Sequence, residues 1–244
     1  MERLIKERLP RHVAVIMDGN GRWAEKRSLS RIEGHKQGVK AIRDTVETAR
    51  RLGINVLTLY AFSRENWKRP KREVTALMRL LKEYLKRELQ EMLDNDIRLV
   101  AMGNLEDLPP DVRKTLRETI HKTRSRNGMI LNLAVSYSGR AELLRAVKRI
   151  CQDNSKGKLR AQEITSEVFS RYLFTNGLPD PDLLIRTSGE FRLSNFLLWQ
   201  IAYTEIYVTD VLWPDFRKKD FIKALLDYQK RERRFGLTRR QLTG

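Results

Sequence analysis

Residues 12–22 read His-Val-Ala-Val-Ile-Met-Asp-Gly-Asn-Gly-Arg. An apolar run rich in β-branched residues, closing on turn residues, predicts a buried strand that ends as Asp18 begins. Gly19 and Gly21 bare backbone N–H groups in a tight turn, which suits close approach of a phosphate. Arg22 adds a planar fork able to grip phosphate through two parallel hydrogen bonds. Asp18 is the discordant member, because a carboxylate repels phosphate unless a cation stands between them. The set points to a diphosphate held partly through Mg²⁺ at the carboxyl end of a strand. The competing reading is an Asn-Gly hairpin turn with an incidental acid.

Working outward, strand-like runs recur at 54–62, 97–102, 129–135 and 183–186, with another near 205–211. Amphipathic helical stretches lie between them. Residues 36–52 place Val39, Ile42, Val46 and Ala49 on one face before Gly53. A long helix is expected after Pro70, with Val74, Leu77, Leu81, Tyr84 and Leu85 at helical spacing, ending near Asp94. Others read at 111–125, 139–152, 165–173 and 218–234. Strands alternating with helices predict one α/β domain over residues 1–244, with a mostly parallel central sheet flanked by helices. Its core would span 8–236, followed by a basic tail at 237–244.

Composition narrows the partners. A net charge of +18 demands something anionic: nucleic acid, an acidic membrane surface or phosphorylated small molecules. Cys151 is the only cysteine, which excludes an internal disulfide and a thiolate zinc site. His12, His35 and His121 show no metal-ligand spacing. The N-terminus lacks the apolar core of a signal peptide, and no run has the ~20 apolar residues of a membrane span. The chain reads as cytoplasmic and soluble, with charge suited to peripheral contact at the inner face of a membrane.

In open α/β sheets ligands gather at the carboxyl ends of strands, so three loops should share one rim. The first is 18–23. The second, Ser63-Arg64-Glu65-Asn66-Trp67-Lys68-Arg69, sets a hydroxyl, an acid, an amide and an indole before a proline-started helix. The third runs from Arg186 to Ser194, where arginines and serines around Gly189 form a second diphosphate-like cradle. Arg31 and His35 lead into the first long helix, where a helix N-terminus favours anions. Glu205 is placed either to hold a metal or to orient an arginine. Leu57, Leu59 and Ala61, with Leu77, Leu81 and Leu85, line an apolar tunnel or simply form strand–helix core.

Several of these motifs occur together in one family. Asp-Gly-Asn-Gly-Arg-Trp at 18–23, Gly-His at 34–35 and Ala-Phe-Ser-x-Glu-Asn-Trp at 61–67 resemble the cis-prenyltransferases, in particular the bacterial undecaprenyl diphosphate synthases. So do Ile-Arg-Thr-Ser-Gly-Glu at 185–190, Arg-Leu-Ser-Asn-Phe-Leu-Leu-Trp-Gln at 192–200, Trp-Pro-Asp-Phe at 213–216 and Arg-Glu-Arg-Arg-Phe-Gly at 231–236. The resemblance implies a homodimer that adds isopentenyl diphosphate successively, in cis, to an allylic diphosphate such as farnesyl diphosphate. It implies that Asp18 binds Mg²⁺ with the allylic diphosphate, cradled by Gly19, Asn20, Gly21, Arg22, Arg31 and His35, with Trp23 beside them. It assigns proton handling to Asn66, with Ser63, Arg64, Glu65, Trp67 and Arg69 around the reacting groups. Arg186, Arg192, Leu193 and Ser194 would bind isopentenyl diphosphate, with Glu205 near its metal. One position departs from the pattern: where the best-studied bacterial members carry a histidine assigned as a metal contact, this chain has Phe191, which cannot ligate a cation.

Two other readings compete. A basic chain with Trp23, Trp67, Trp199 and Trp213 has the charge of an RNA-binding protein. Its basic residues are interleaved with acids, however, and no recognition motif appears, so nucleic acid is not the expected partner. A non-catalytic subunit of a prenyltransferase complex tends to lack the Asp-Gly-Asn-Gly-Arg set, which this chain keeps.

Overall fold

Valine, isoleucine and leucine dominate six short segments, and each forms a strand: β1 (His12–Ile16), β2 (Val56–Ser63), β3 (Ile97–Met102), β4 (Met129–Tyr137), β5 (Leu183–Thr187) and β6 (Glu205–Thr209). They are seen in a computed structural model that describes residues 4–232. Every pairing is parallel, in the order β3-β4-β2-β1-β5-β6. β1 sits inside the sheet with all five residues buried, which explains its unbroken apolar sequence. Alternation still decides which side each residue serves. Val13, Val15, Leu57, Leu59 and Leu133 enter a large core, whereas Ala14, Ile16, Ala134 and Leu184 enter a smaller one with Phe196, Leu197 and Ile201.

The helices are α1 (Asn20–Glu25), α2 (Arg31–Leu52), α3 (Lys71–Arg87), α4 (Leu89–Asp94), α5 (Pro110–Thr123), α6 (Gly139–Ser155), α7 (Ser166–Arg171) and α8 (Lys218–Lys230). α2 begins five residues before the apolar stripe suggests, because Ser30 caps it by accepting the Glu33 N–H. The long helix expected from Pro70 to Asp94 is two. Glu88, with ψ at 0°, ends α3 and turns its carboxylate inward onto the Arg43 guanidinium. The apolar periodicity runs on across that break and conceals it. Residues 233–236, with the end of the helix expected over 218–234, and the tail at 237–244 lie outside the described residues.

The connections place a crevice. From β1 the chain proceeds to its neighbour β2, and from β5 it proceeds the opposite way, to β6. Such a reversal opens a gap at the carboxyl ends of the two strands that flank it, here β1 and β5.

Candidate active site at the carboxyl edge

Asp18 stands at that reversal. Its backbone is stitched to β5 through Thr187, whose Oγ1 accepts the Asp18 N–H at 2.9 Å and donates to the Asp18 carbonyl at 2.6 Å. Its Oδ1 accepts the Gly19 N–H at 2.7 Å, and its Oδ2 accepts from Arg186 Nη2 at 2.8 Å. The Gly-Asn-Gly turn is not a hairpin: it opens α1 directly, and β1 and β2 are parallel. Gly19 has φ +107°, and a Cβ there would press on Leu212 and Ser188 at 3.0–3.1 Å. Gly34 of α2 is just as constrained, since its Cβ would fall 2.0 Å from the Asn20 carbonyl. These two glycines let the first turn of α1, with its unpaired backbone N–H groups, sit at the crevice.

A cavity of about 380 Å³ opens here and brings the three loops together. Asp18, Gly19, Asn20 and Gly21 come from the first loop, Ser63, Asn66 and Arg69 from the second, and Arg186, Arg192 and Ser194 from the third. Arg31 and His35 of α2 complete the polar mouth. Among the described residues that line it, Asp18 is the only carboxylate against four arginines. Arg186 is nearly fully buried and also donates to Ser194 Oγ at 2.7 Å. Its Nε and the Nε2 of His35 are buried without a hydrogen-bond partner.

Glu73, which the sequence reading did not single out, organises one wall. It accepts from Arg69 Nη1 at 3.0 Å and lies 3.7 Å from Arg31 Nε and 3.9 Å from His35 Nε2. The signal was present as an acid in the first turn of α3, four residues after Arg69. Burial, followed by the charge of Arg69, pushes the His35 imidazole down to about 4, so it is neutral at pH 7.

Behind the mouth the lining is apolar. Leu59 and Ala61 of β2 and Leu77 and Leu81 of α3 line it as the tunnel reading expects, with Val39, Ile42 and Tyr84. Leu57 and Leu85 are absent from that lining and pack within the main core, so those two positions follow the strand–helix reading.

Other candidates lie off the cavity lining. Trp23 turns away, donating from Nε1 to Asp215 at 2.7 Å beneath the Arg27 guanidinium. Arg22 lies beside the mouth, 3.4 Å from Asp18 and 2.9 Å from Glu190. Arg64 and Glu65 sit on an exposed 3-10 turn, Arg64–Lys68. Trp67 leans inward on the main core and donates to Ser136 Oγ at 2.8 Å. Leu193 packs on the smaller core. Phe191 is 89% exposed.

Glu205 lies apart from the cavity. It starts β6 opposite Leu183, at the amino edge of a parallel sheet, while Asp18 follows the carboxyl end of β1. Within one chain these two carboxylates do not meet. Glu205 instead accepts from Arg231 at 2.9 Å, the arginine-orienting alternative. Among the described residues no three His, Cys, Asp or Glu side chains are grouped to hold a metal.

Residues 16–236 match the family described as "Putative undecaprenyl diphosphate synthase". The chain is 55% identical to an isoprenyl transferase of Geobacter sulfurreducens over 99% of this chain and 98% of that one. It is 49% identical to an isoprenyl transferase of Bacillus subtilis over 96% of this chain and 90% of that one. Among solved structures, lavandulyl diphosphate synthase from Lavandula x intermedia in complex with dimethylallyl diphosphate gives a TM-score of 0.92 at 38% identity, covering 94% of this chain and 99% of that one. A probable undecaprenyl diphosphate synthase from Campylobacter jejuni gives 0.76 at 37% identity, covering 97% and 100%. With a six-stranded parallel sheet, a cationic crevice at its reversal and these likenesses over nearly its whole length, the chain belongs to the undecaprenyl diphosphate synthase family of cis-prenyltransferases.

Proposed function

We propose that the enzyme adds isopentenyl diphosphate successively to an allylic diphosphate, with farnesyl diphosphate as primer. The product is a long cis-polyprenyl diphosphate of the undecaprenyl kind, a lipid-carrier precursor for cell-wall synthesis. The observation that carries this reading is one cavity with two chemistries, an arginine-rich mouth continuous with an apolar interior. A diphosphate head and a hydrocarbon tail need those two environments in that order. At ~0.8 kcal/mol per buried CH₂, each added five-carbon unit gains up to a few kcal/mol.

The residues present fit Mg²⁺, which takes one or two carboxylates and completes its shell with phosphate oxygens and water. Asp18 would hold it, as the cavity's carboxylate with 30% of its side chain exposed. When bound, Mg²⁺ neutralises charge developing on a leaving diphosphate. The first turn of α1 aims backbone N–H groups at the same oxygens, with Arg22, Arg31 and His35 around them. Arg186, Arg192 and Ser194 orient isopentenyl diphosphate, so that its double bond faces the allylic carbon. Asn66 Oδ1 accepts the Ser63 N–H at 3.1 Å, which leaves its amide N–H groups for the substrates. A carboxamide is a weak base, so its part is to steady the diphosphate oxygen that takes the departing proton.

The reading extends to a homodimer, supported by Tyr203 and Ile206, exposed at 68% and 44% on and beside the edge strand β6. It also extends to peripheral contact with anionic lipid at the cytoplasmic face, supported by the +18 charge. No helix among the described residues is long and apolar enough to cross a membrane. The deciding assay supplies labelled isopentenyl diphosphate, farnesyl diphosphate and Mg²⁺, then sizes the extracted products by chromatography. Long cis-polyprenyl diphosphates are expected, reduced at least ~10²-fold in Asp18→Ala. Absence of labelled polyprenyl product from folded wild-type enzyme would refute the reading, and full activity in Asp18→Ala would remove Asp18 from the metal site.

A further inference from the structure

Asn195 follows Ser194 in the third loop, and its polar groups reach two other elements. Its carbonyl accepts the Gly139 N–H at 2.8 Å, and its Oδ1 accepts the Arg140 N–H at 2.9 Å. A backbone N–H can only donate, so the second contact fixes which end of the carboxamide is oxygen. The nitrogen therefore faces the other way, where it donates to Ser138 Oγ at 2.8 Å and to Glu65 Oε1 at 2.7 Å. Both amide hydrogens are used. The backbone is left-handed at Ser194 (φ 49°) and at Asn195 (φ 61°), a region that asparagine tolerates better than most residues.

The bond to Glu65 joins the turn that carries Asn66 to the loop that carries Arg192 and Ser194. Separate loops drift relative to one another unless something ties them. We propose that Asn195 is a positioning residue that couples the Asn66 turn to the Arg192–Ser194 loop, fixing the spacing between the amide that steadies the proton-accepting oxygen and the groups that orient isopentenyl diphosphate. This rests on the function proposed above. The competing role is architectural, since Asn195 also closes the start of α6.

Asn195→Asp separates the two. A carboxylate still accepts the Arg140 N–H, the Ser138 hydroxyl can turn to donate to it, and negative charge suits the start of a helix. The thermal midpoint is therefore expected within about 3 °C of wild type. Towards Glu65, carboxylate now meets carboxylate. The expected result is a fall of about 10²-fold in kcat, from misplacement of two substrates that each still bind. Calorimetry with isopentenyl diphosphate alone, and with farnesyl diphosphate alone, should show each Kd changed by less than about 3-fold, because neither half of the site is itself altered.

Adding Glu65→Gln to Asn195→Asp rebuilds the pair with donor and acceptor exchanged. The double variant is expected to exceed the product of the two single effects by at least about 10-fold. The proposal is overturned if Asn195→Asp keeps kcat within about 2-fold of wild type, or if the two single effects simply multiply. It is overturned equally if Asn195→Asp yields no soluble protein or loses more than about 10 °C in midpoint, since the residue is then architectural. Wild-type enzyme run alongside keeps the questions apart, because absence of prenyl transfer there counts against the function and not the coupling.

Discussion

At Arg186 one guanidinium meets two demands. Nη2 holds Asp18 at 2.8 Å and Nη1 holds Ser194 at 2.7 Å, joining the first loop to the third from a nearly fully buried position. A lysine ammonium is a point charge on a flexible stem and cannot span both. Arg186→Lys is therefore expected to lower kcat/KM by about 10²-fold or more, as steady-state kinetics will show. Retention of wild-type kcat/KM would mean the span is dispensable. That Asp18, Arg186 and Ser194 share one rim was legible because Arg186 lies at the carboxyl end of β5 and the other two in loops that follow strands, where the ligand rule for α/β sheets applies. Trp23 was not, because the side of a six-residue helix it occupies is set by a partner, Asp215, almost two hundred positions away. The place of Glu205 was hidden for a related reason: its edge of the sheet follows from strand pairing, which local sequence does not encode.

At the scale of elements, β2 and α3 form the apolar wall, and Ala61 is the small residue on it. Replacing Ala61 with leucine fills space where the growing tail must pass. Products should shorten while folding is kept, as read from the sized product ladder beside a thermal melt; an unchanged ladder would take Ala61 off the tail path. The α3–α4 break offers a separate test. Glu88 is only 4% exposed, and Arg43 engages both its oxygens. Arg43→Ala leaves a buried carboxylate with its charge uncompensated, an expected loss of about 1–3 kcal/mol in urea denaturation, moderated because Arg43 itself is half exposed. A loss below about 0.5 kcal/mol would show that the pair is solvent-screened. A helical stripe from Pro70 to Asp94 was readable, but its division into two helices was not, because an inward-facing acid looks in sequence like any surface glutamate.

For the molecule as a whole, two neutral imidazoles set the response to acid. His12 is fully buried, its Nδ1 2.7 Å from the Pro179 carbonyl and its Nε2 2.7 Å from Thr58 Oγ1. A carbonyl only accepts, so Nδ1 carries the proton and Nε2 is left to accept from the threonine. Burial pushes His12 down to about 4, as it does His35. Below pH ~6.5 the unfolded chain takes up protons that the native state refuses until about pH 4, so stability falls as pH drops through that window. The loss grows to ~3 kcal/mol for each site at the acid end. The urea midpoint should decline between pH 6.5 and 5, and His35→Asn should remove about half of the decline. A midpoint flat across that range would mean the imidazoles are not held neutral. The strands and their parallel sense were legible from runs of branched residues separated by helices. Their order was not, because β4 enters between β3 and β2 through contacts far apart in the chain.

The cavity's two linings come from different parts of the chain. Three strand-end loops and the start of α2 furnish the charged mouth, whereas the apolar interior depends heavily on the inward face of α3. Mutations confined to that face act like moving the stop on a gauge. A library randomised at Leu77, Leu80, Leu81 and Tyr84 should sort into enzymes of different product size that share one rate-limiting chemistry, so chain length could diverge in evolution without the reaction being reinvented.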